Sequence, residues 1–187
     1  MSEALDLTNQ LLIAMPALGD PNFSQTVAYV CEHSDRGALA LVLNRPLTMR
    51  LGEVFEQLDI QVPDGPLSEE AVLRGGPMQT DRGFVVHKAA GEWDSTLKVS
   101  DSIHVTTSRD ILTAIARGEG PAPAFVALGY AGWDSGQLED EIRANAWLNA
   151  PADSRIIFDL PFDQRWAAAA KLLGVDIARL ASISGNA

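Results

Sequence analysis

Residues 26–43 read Thr-Val-Ala-Tyr-Val-Cys-Glu-His-Ser-Asp-Arg-Gly-Ala-Leu-Ala-Leu-Val-Leu. Two stretches of strand-compatible residues, Thr26–Cys31 and Ala38–Leu43, flank Glu32–Gly37, a connection of hairpin length in which Gly37 is free to take positive φ. Toward the N-terminus, Leu11–Met15 is a further strand candidate, cut off by Pro16. Pro16–Phe23 then reads as a turn-rich loop. Toward the C-terminus the period changes. Leu51, Val54, Phe55 and Leu58 recur at three- and four-residue spacing, which predicts an amphipathic helix over 48–58.

Beyond a Pro- and Gly-containing loop, Gln61–Glu70, short strands are expected at Ala71–Arg74 and Phe84–His87 around a Gly75-Gly76-Pro77 turn. Leu97–Val99 and Ile103–Val105 are expected to pair across Ser100–Ser102. Thr107 and Asp110 have capping-box spacing before Ile111, Leu112 and Ile115, with Gly118 as the stop. Ala124–Leu128 returns to strand character. Leu138, Ile142 and Ala146 then share one face of a helix predicted over 137–148 and closed by Pro151. Arg155–Phe158 reads as a buried strand, and Asp163 as the cap of a last helix through Leu173, ended by Gly174. This order lacks regular βαβ alternation and so favours an α+β fold.

The chain has 187 residues, 47% hydrophobic and 21% charged, which suits one domain with its own core and with residues 1–8 and 182–187 frayed. A net charge of -11 and a pI near 4.6 argue against direct contact with nucleic acid or an anionic membrane. The single cysteine, Cys31, permits no intrachain disulfide and reads as a small buried hydrophobe. The N-terminus has no basic segment followed by an apolar run, and no stretch approaches the roughly 20 apolar residues of a membrane helix. A cytoplasmic monomer is the expectation.

Familiar catalytic signatures are absent. Gly118-Glu119-Gly120 follows a predicted helix and precedes Pro121, so it lacks the strand-to-helix turn of a dinucleotide site. Gly132-Trp133-Asp134-Ser135-Gly136 misses a nucleophile elbow by one position. His33, His87 and His104 lie in separate segments without zinc-site spacing, so neither metal nor cofactor is expected. His87 and His104 read as structural strand residues, whereas His33, beside Glu32 and a turn, stands where side chains converge on pockets. In Asn44-Arg45-Pro46, Arg45 either binds an anion or holds a carboxylate or loop carbonyls. Gly75-Gly76 either offers amides to a ligand or makes a tight turn. Gly129-Tyr130-Ala131-Gly132-Trp133, ahead of Gln137, either presents two aromatic faces or finishes the core.

Several of these stretches occur in an order that resembles the YqgE/AlgH family of bacterial proteins. They are Met15-Pro16, Asp20-Pro21-x-Phe23, Cys31-Glu32-His33, Asn44-Arg45-Pro46, Gly75-Gly76-Pro77, Thr106-Thr107-Ser108-x-Asp110, and Leu128–Trp133 followed by Gly136-Gln137-Leu138-Glu139-x-Glu141. Ser34 and Ala40 depart from the Asn and Gly common at those places. The resemblance implies an α+β fold on a large mixed β-sheet with packed helices. It implies no catalytic set, and the family's name points to regulation, which an acidic chain would exert through a protein partner or small anionic ligand.

The leading expectation is therefore a non-enzymatic regulatory or ligand-sensing protein, with binding candidates Glu32, His33, Asn44, Arg45, Gly75, Gly76, Tyr130, Trp133 and Gln137. The alternative is an enzyme acting on a small anionic substrate with His33 as acid or base and Arg45 as anchor, which requires both to line one pocket. A third reading, an assembly protein, requires Trp147 or Trp166 in an exposed apolar patch.

Overall fold

The computed structural model describes residues 6–176. In chain order these form β1 (Gln10–Ala14), β2 (Val27–Ser34), β3 (Gly37–Val42), β4 (Pro46–Arg50), α1 (Leu51–Gln57), β5 (Ala71–Arg74), β6 (Met78–Lys88), β7 (Thr96–Lys98), β8 (Ile103–Thr106), α2 (Arg109–Ala116), β9 (Ala124–Asp134), α3 (Gln137–Arg143), β10 (Trp147–Pro151), a π-helical turn (Arg155–Asp159) and α4 (Phe162–Lys171). The strands make a curled sheet in the order β10-β1-β2-β3-β9-β6-β8-β7, with β5 beside β9 and β4 beside β5. Every pairing is antiparallel except β5 with β9, so the fold is α+β on a large mixed sheet.

β9 organises the sheet. Its C-terminal half pairs with β3, from Ala40↔Ala131 to Gly37↔Asp134. Its N-terminal half takes β5 on that same edge and β6 on the other. The apolar runs of β1 to β3 are unbroken because both faces are covered. Leu11, Ile13, Tyr29 and Leu41 face a core closed by the π-helical turn and α4, while Leu12, Ala14, Val30 and Val42 face one closed by α3. α1 and α2 close a third cluster over Val72, Val85 and Val126.

The structure moves several expected boundaries. β2 runs on through Ser34, so Glu32 and His33 belong to a strand and not to its turn. The helix expected over 48–58 starts at Leu51, because Pro46–Arg50 pairs with β5. The glycine- and aromatic-rich stretch 129–133 is strand, with Gly129 at φ 78 opposite an irregularity in β6. The helix expected over 137–148 stops at Arg143, Asn145 takes φ 63, and Trp147–Pro151 returns as β10 against β1. Arg155–Phe158 is a π-helical turn, not a strand; Ile156 and Ile157 are both buried. Ser108, not Thr107, takes the N-cap position of α2, and Pro161, not Asp163, that of α4.

Of the segments expected to fray, residues 1–5 and 182–187 lie outside the described residues. Leu7, by contrast, is fully buried.

Candidate functional site

The sequence-predicted residues are drawn apart by the hairpin that carries them. His33 lies near the tip of the β2–β3 hairpin, and Asn44 and Arg45 follow its open end, beside Val27. The span from Val27 to His33 is about 20 Å at a rise of about 3.3 Å per residue. The two groups of the enzyme alternative therefore do not share a pocket. Their bonds explain what they do instead. His33 Nδ1 accepts the Leu7 N–H at 3.0 Å, which leaves the ring proton on Nε2, 2.8 Å from Glu139 Oε1. The imidazole thus ties the N-terminal segment to α3. Arg45 donates to the carbonyls of Pro21 and Ser24 at 3.2 and 2.6 Å. Asn44 accepts the Val27 N–H at 3.1 Å and donates to the Gln25 carbonyl at 2.9 Å. Together they staple the loop before β2.

Gly75 and Gly76 offer no free cradle. The Gly75 N–H donates to the Leu128 carbonyl at 2.8 Å, and its own carbonyl accepts from Val42 at 2.8 Å. A Cβ on Gly76 would fall inside the backbone of Tyr130 and Ala131. These glycines let β5, β3 and β9 close together. Trp133 is 6% exposed and packs on Phe23 and Trp147, so it is core and not a contact face. Gln137 accepts the Asp134 N–H and donates to Glu141. Tyr130 is half-buried, edge-on to Phe84, and its hydroxyl accepts from Gln79 at 3.2 Å. Glu32, Tyr130, Trp133 and Gln137 do border one open depression of about 470 Å³.

A better-enclosed cleft lies elsewhere, between α1, α2 and the sheet. Its volume is about 420 Å³, within the roughly 300–1,000 Å³ of small-molecule sites. Val54, Leu58, Val85, Leu112, Val126 and Leu128 make the floor. Gln57, Thr80, Asp81, Thr107 and Arg109 line the same cleft, and none of their side chains bonds to another described residue. The polar group next to them is spent on structure. Burial opposes ionisation of Asp110, but bonds from Ser108, Asp94 and Ile111 hold its carboxyl below the usual range.

Sequence reading took Thr107 and Asp110 only as a cap and passed over Arg109. The available signal was a pair of helices, each with apolar positions left over once the sheet-facing stripe is filled: Leu58 on one and Leu112 on the other. Among the described residues no group of His, Cys, Asp and Glu side chains is arranged to hold a metal ion, and no helix is long and apolar enough to cross a membrane.

A family model described as AlgH-like matches residues 11–178. A UPF0301 protein of Thioalkalivibrio sulfidiphilus is 54% identical over all of both chains. One from Saccharophagus degradans is 49% identical over 99% of this chain and 91% of its own. The solution structure of the AlgH protein from Pseudomonas aeruginosa superposes with a TM-score of 0.81 at 48% identity, covering 96% of this chain and 95% of that one. A Corynebacterium diphtheriae protein superposes at 0.74 with 20% identity over 97% and 94% of the two chains, a likeness of fold alone.

Proposed function

Since this chain belongs to the AlgH-like family, with the family's fold over nearly its whole length, we propose that it is a non-enzymatic cytoplasmic monomer that senses a small amphipathic anion in the cleft between α1, α2 and β6–β9. One observation carries the reading: polar side chains without partners among the described residues converge on an apolar floor, and Arg109 is the cation among them. Arg109 thus takes the anchoring role expected of Arg45, whose guanidinium is committed to loop carbonyls. An apolar body would bury against Leu112 and Val126 at about 25 cal/mol per Å², with an anionic head at Arg109. The separation of His33 from Arg45 weighs against the enzyme reading. The free, buried Cys31 fits a reducing compartment. Trp147 is buried and Trp166 half-buried, its indole N–H on the Ala14 carbonyl, which supports a monomer over an assembly face.

Anilinonaphthalene sulfonate, an apolar body with one anionic head, tests the site. Its fluorescence should rise saturably with the native protein. Leu112→Trp should remove that rise by filling the cleft while the far-ultraviolet spectrum stays native. Arg109→Ala should weaken binding by about ten-fold, the loss of one charge-assisted bond. Undiminished dye binding in Leu112→Trp would refute the assignment.

A further inference from the structure

On the opposite face of the sheet, a smaller cavity of about 230 Å³ opens between β5, β9, the π-helical turn and α4. Phe125, Phe158 and Phe162 wall it, with Arg165 and Glu70 also on its lining. Phe125 and Phe158 meet edge to face at 5.8 Å. The volume lies below the roughly 300 Å³ at which drug-sized sites begin, so the occupant is small.

Arg165 is 4% exposed. Its Nε donates to the Leu160 carbonyl at 2.9 Å, and its Nη1 to the carbonyls of Leu43 and Ile157 at 3.1 and 3.0 Å. The guanidinium also lies 4.7 Å from the Phe162 ring centroid. Burial lowers its pKa to about 10, with Asp159 acting the other way, so it remains a cation at neutral pH. No carboxylate forms an ion pair with it among the described residues. Nη2 has no acceptor among the described residues. Among the described residues no fully buried side-chain nitrogen or oxygen is left without a partner, so Nη2 reaches open space, and the cavity is the space that Arg165 borders.

Glu70 completes the picture. Its carboxyl has no bonding partner among the described residues, and burial pushes its pKa up. A buried cation that makes no ion pair among the described residues, its charge eased only by the exposed Asp159, and a carboxylate at the exposed rim thus border one aromatic cavity without pairing with each other. Both gain from a ligand that brings the missing charge to each.

We propose that this cavity binds a small zwitterion of the α-amino-acid type, its carboxylate on Arg165 Nη2, its ammonium on Glu70, and an apolar side chain among Phe125, Phe158 and Phe162. The site is separate from the cleft and does not depend on it.

Titration of the full chain with L-leucine, followed by amide chemical shifts, tests the proposal. Saturable shifts should centre on Ala71, Phe125 and Phe162. The analogue without the ammonium (4-methylpentanoate) and the one without the carboxylate (isopentylamine) should each bind at least about ten-fold more weakly, one charge-assisted contact being lost in either case. Arg165→Lys should also weaken leucine, but Arg165 ties three carbonyls and its loss risks the fold. Ala71→Leu avoids that risk: it fills the cavity, leaves those bonds in place, and should abolish leucine binding at unchanged melting temperature. Equal affinity for leucine and 4-methylpentanoate, undiminished leucine binding in Ala71→Leu, or no saturable shift with leucine would each overturn the proposal.

Discussion

Trp133 and Trp147 donate their indole N–H groups to one and the same oxygen, Oε1 of Glu141, at 3.2 and 3.1 Å. The rings meet edge to face with centroids 6.0 Å apart, and Gln137 donates to the other oxygen at 2.9 Å. A single carboxylate of α3 therefore fixes the aromatic residues of two strands that are not neighbours in the sheet.

Replacing Glu141 by Leu should strand both indole N–H groups in the core and cost about 2–4 kcal/mol. Glu141→Gln keeps an acceptor and should cost about half as much. Urea unfolding of the two variants decides the matter. A loss in Glu141→Leu no larger than the roughly 0.5 kcal/mol of an ordinary surface change would mean that the shared bond contributes nothing.

Acidification should weaken the fold through His87. Burial holds its pKa below the ordinary value, against the Lys88 carbonyl bond that raises it, and His104 lowers it further. Above about pH 6.5 the ring is neutral in both states and contributes nothing. As the pH falls below that value, the unfolded chain takes up a proton that the folded chain refuses. Stability then drops by up to about 1.4 kcal/mol per pH unit until the folded pKa is reached. His87→Gln should flatten this part of the profile relative to the parent. Parallel profiles of parent and variant between pH 6.5 and 5 would contradict the assignment.

Gly76 and Gly136 should respond oppositely to alanine. A Cβ on Gly76 collides with the backbone of β9, which cannot yield without breaking the sheet, so Gly76→Ala should cost more than about 4 kcal/mol and leave little soluble protein. Gly136 has open space around it and only its φ of 76 to defend, so Gly136→Ala should cost about 1 kcal/mol. Thermal unfolding monitored by circular dichroism separates the two, and similar melting temperatures would count against the packing account.

The strands β1 to β3 were legible because their apolar runs are long and end at turn residues, whereas β4 has no such run and reads into the helix that follows it. The second half misled for identifiable reasons. Leu138, Ile142 and Ala146 keep helical spacing beyond the point where Asn145 adopts φ 63, so the pattern outlasts the helix. Ile156 and Ile157 are both buried in a π-helical turn, and a short apolar run reads the same way in a strand. The site was less legible than the fold. Arg45 and His33 stood out as isolated polar residues beside apolar strands, but the structure uses Arg45 to hold the loop before β2 and His33 to tie the N-terminal segment to α3. Arg165 drew no notice in a helix rich in alanine. Its place one turn before Ala169, on the buried side, was the sign that this charge points inward.

The central position of β9 also restricts how the chain can change in length. Deleting one residue between Ala124 and Asp134 would turn every later side chain of the strand toward the wrong core, with β3 and β6 already committed on either edge. Length variation is thereby pushed into the connections, above all Gln61–Glu70, where Gly65 has nothing within 4 Å of a would-be Cβ. A fluorescent domain grafted between Asp64 and Gly65 has room to leave the sheet undisturbed, and the same graft inside β9 would divide the molecule at its one shared seam.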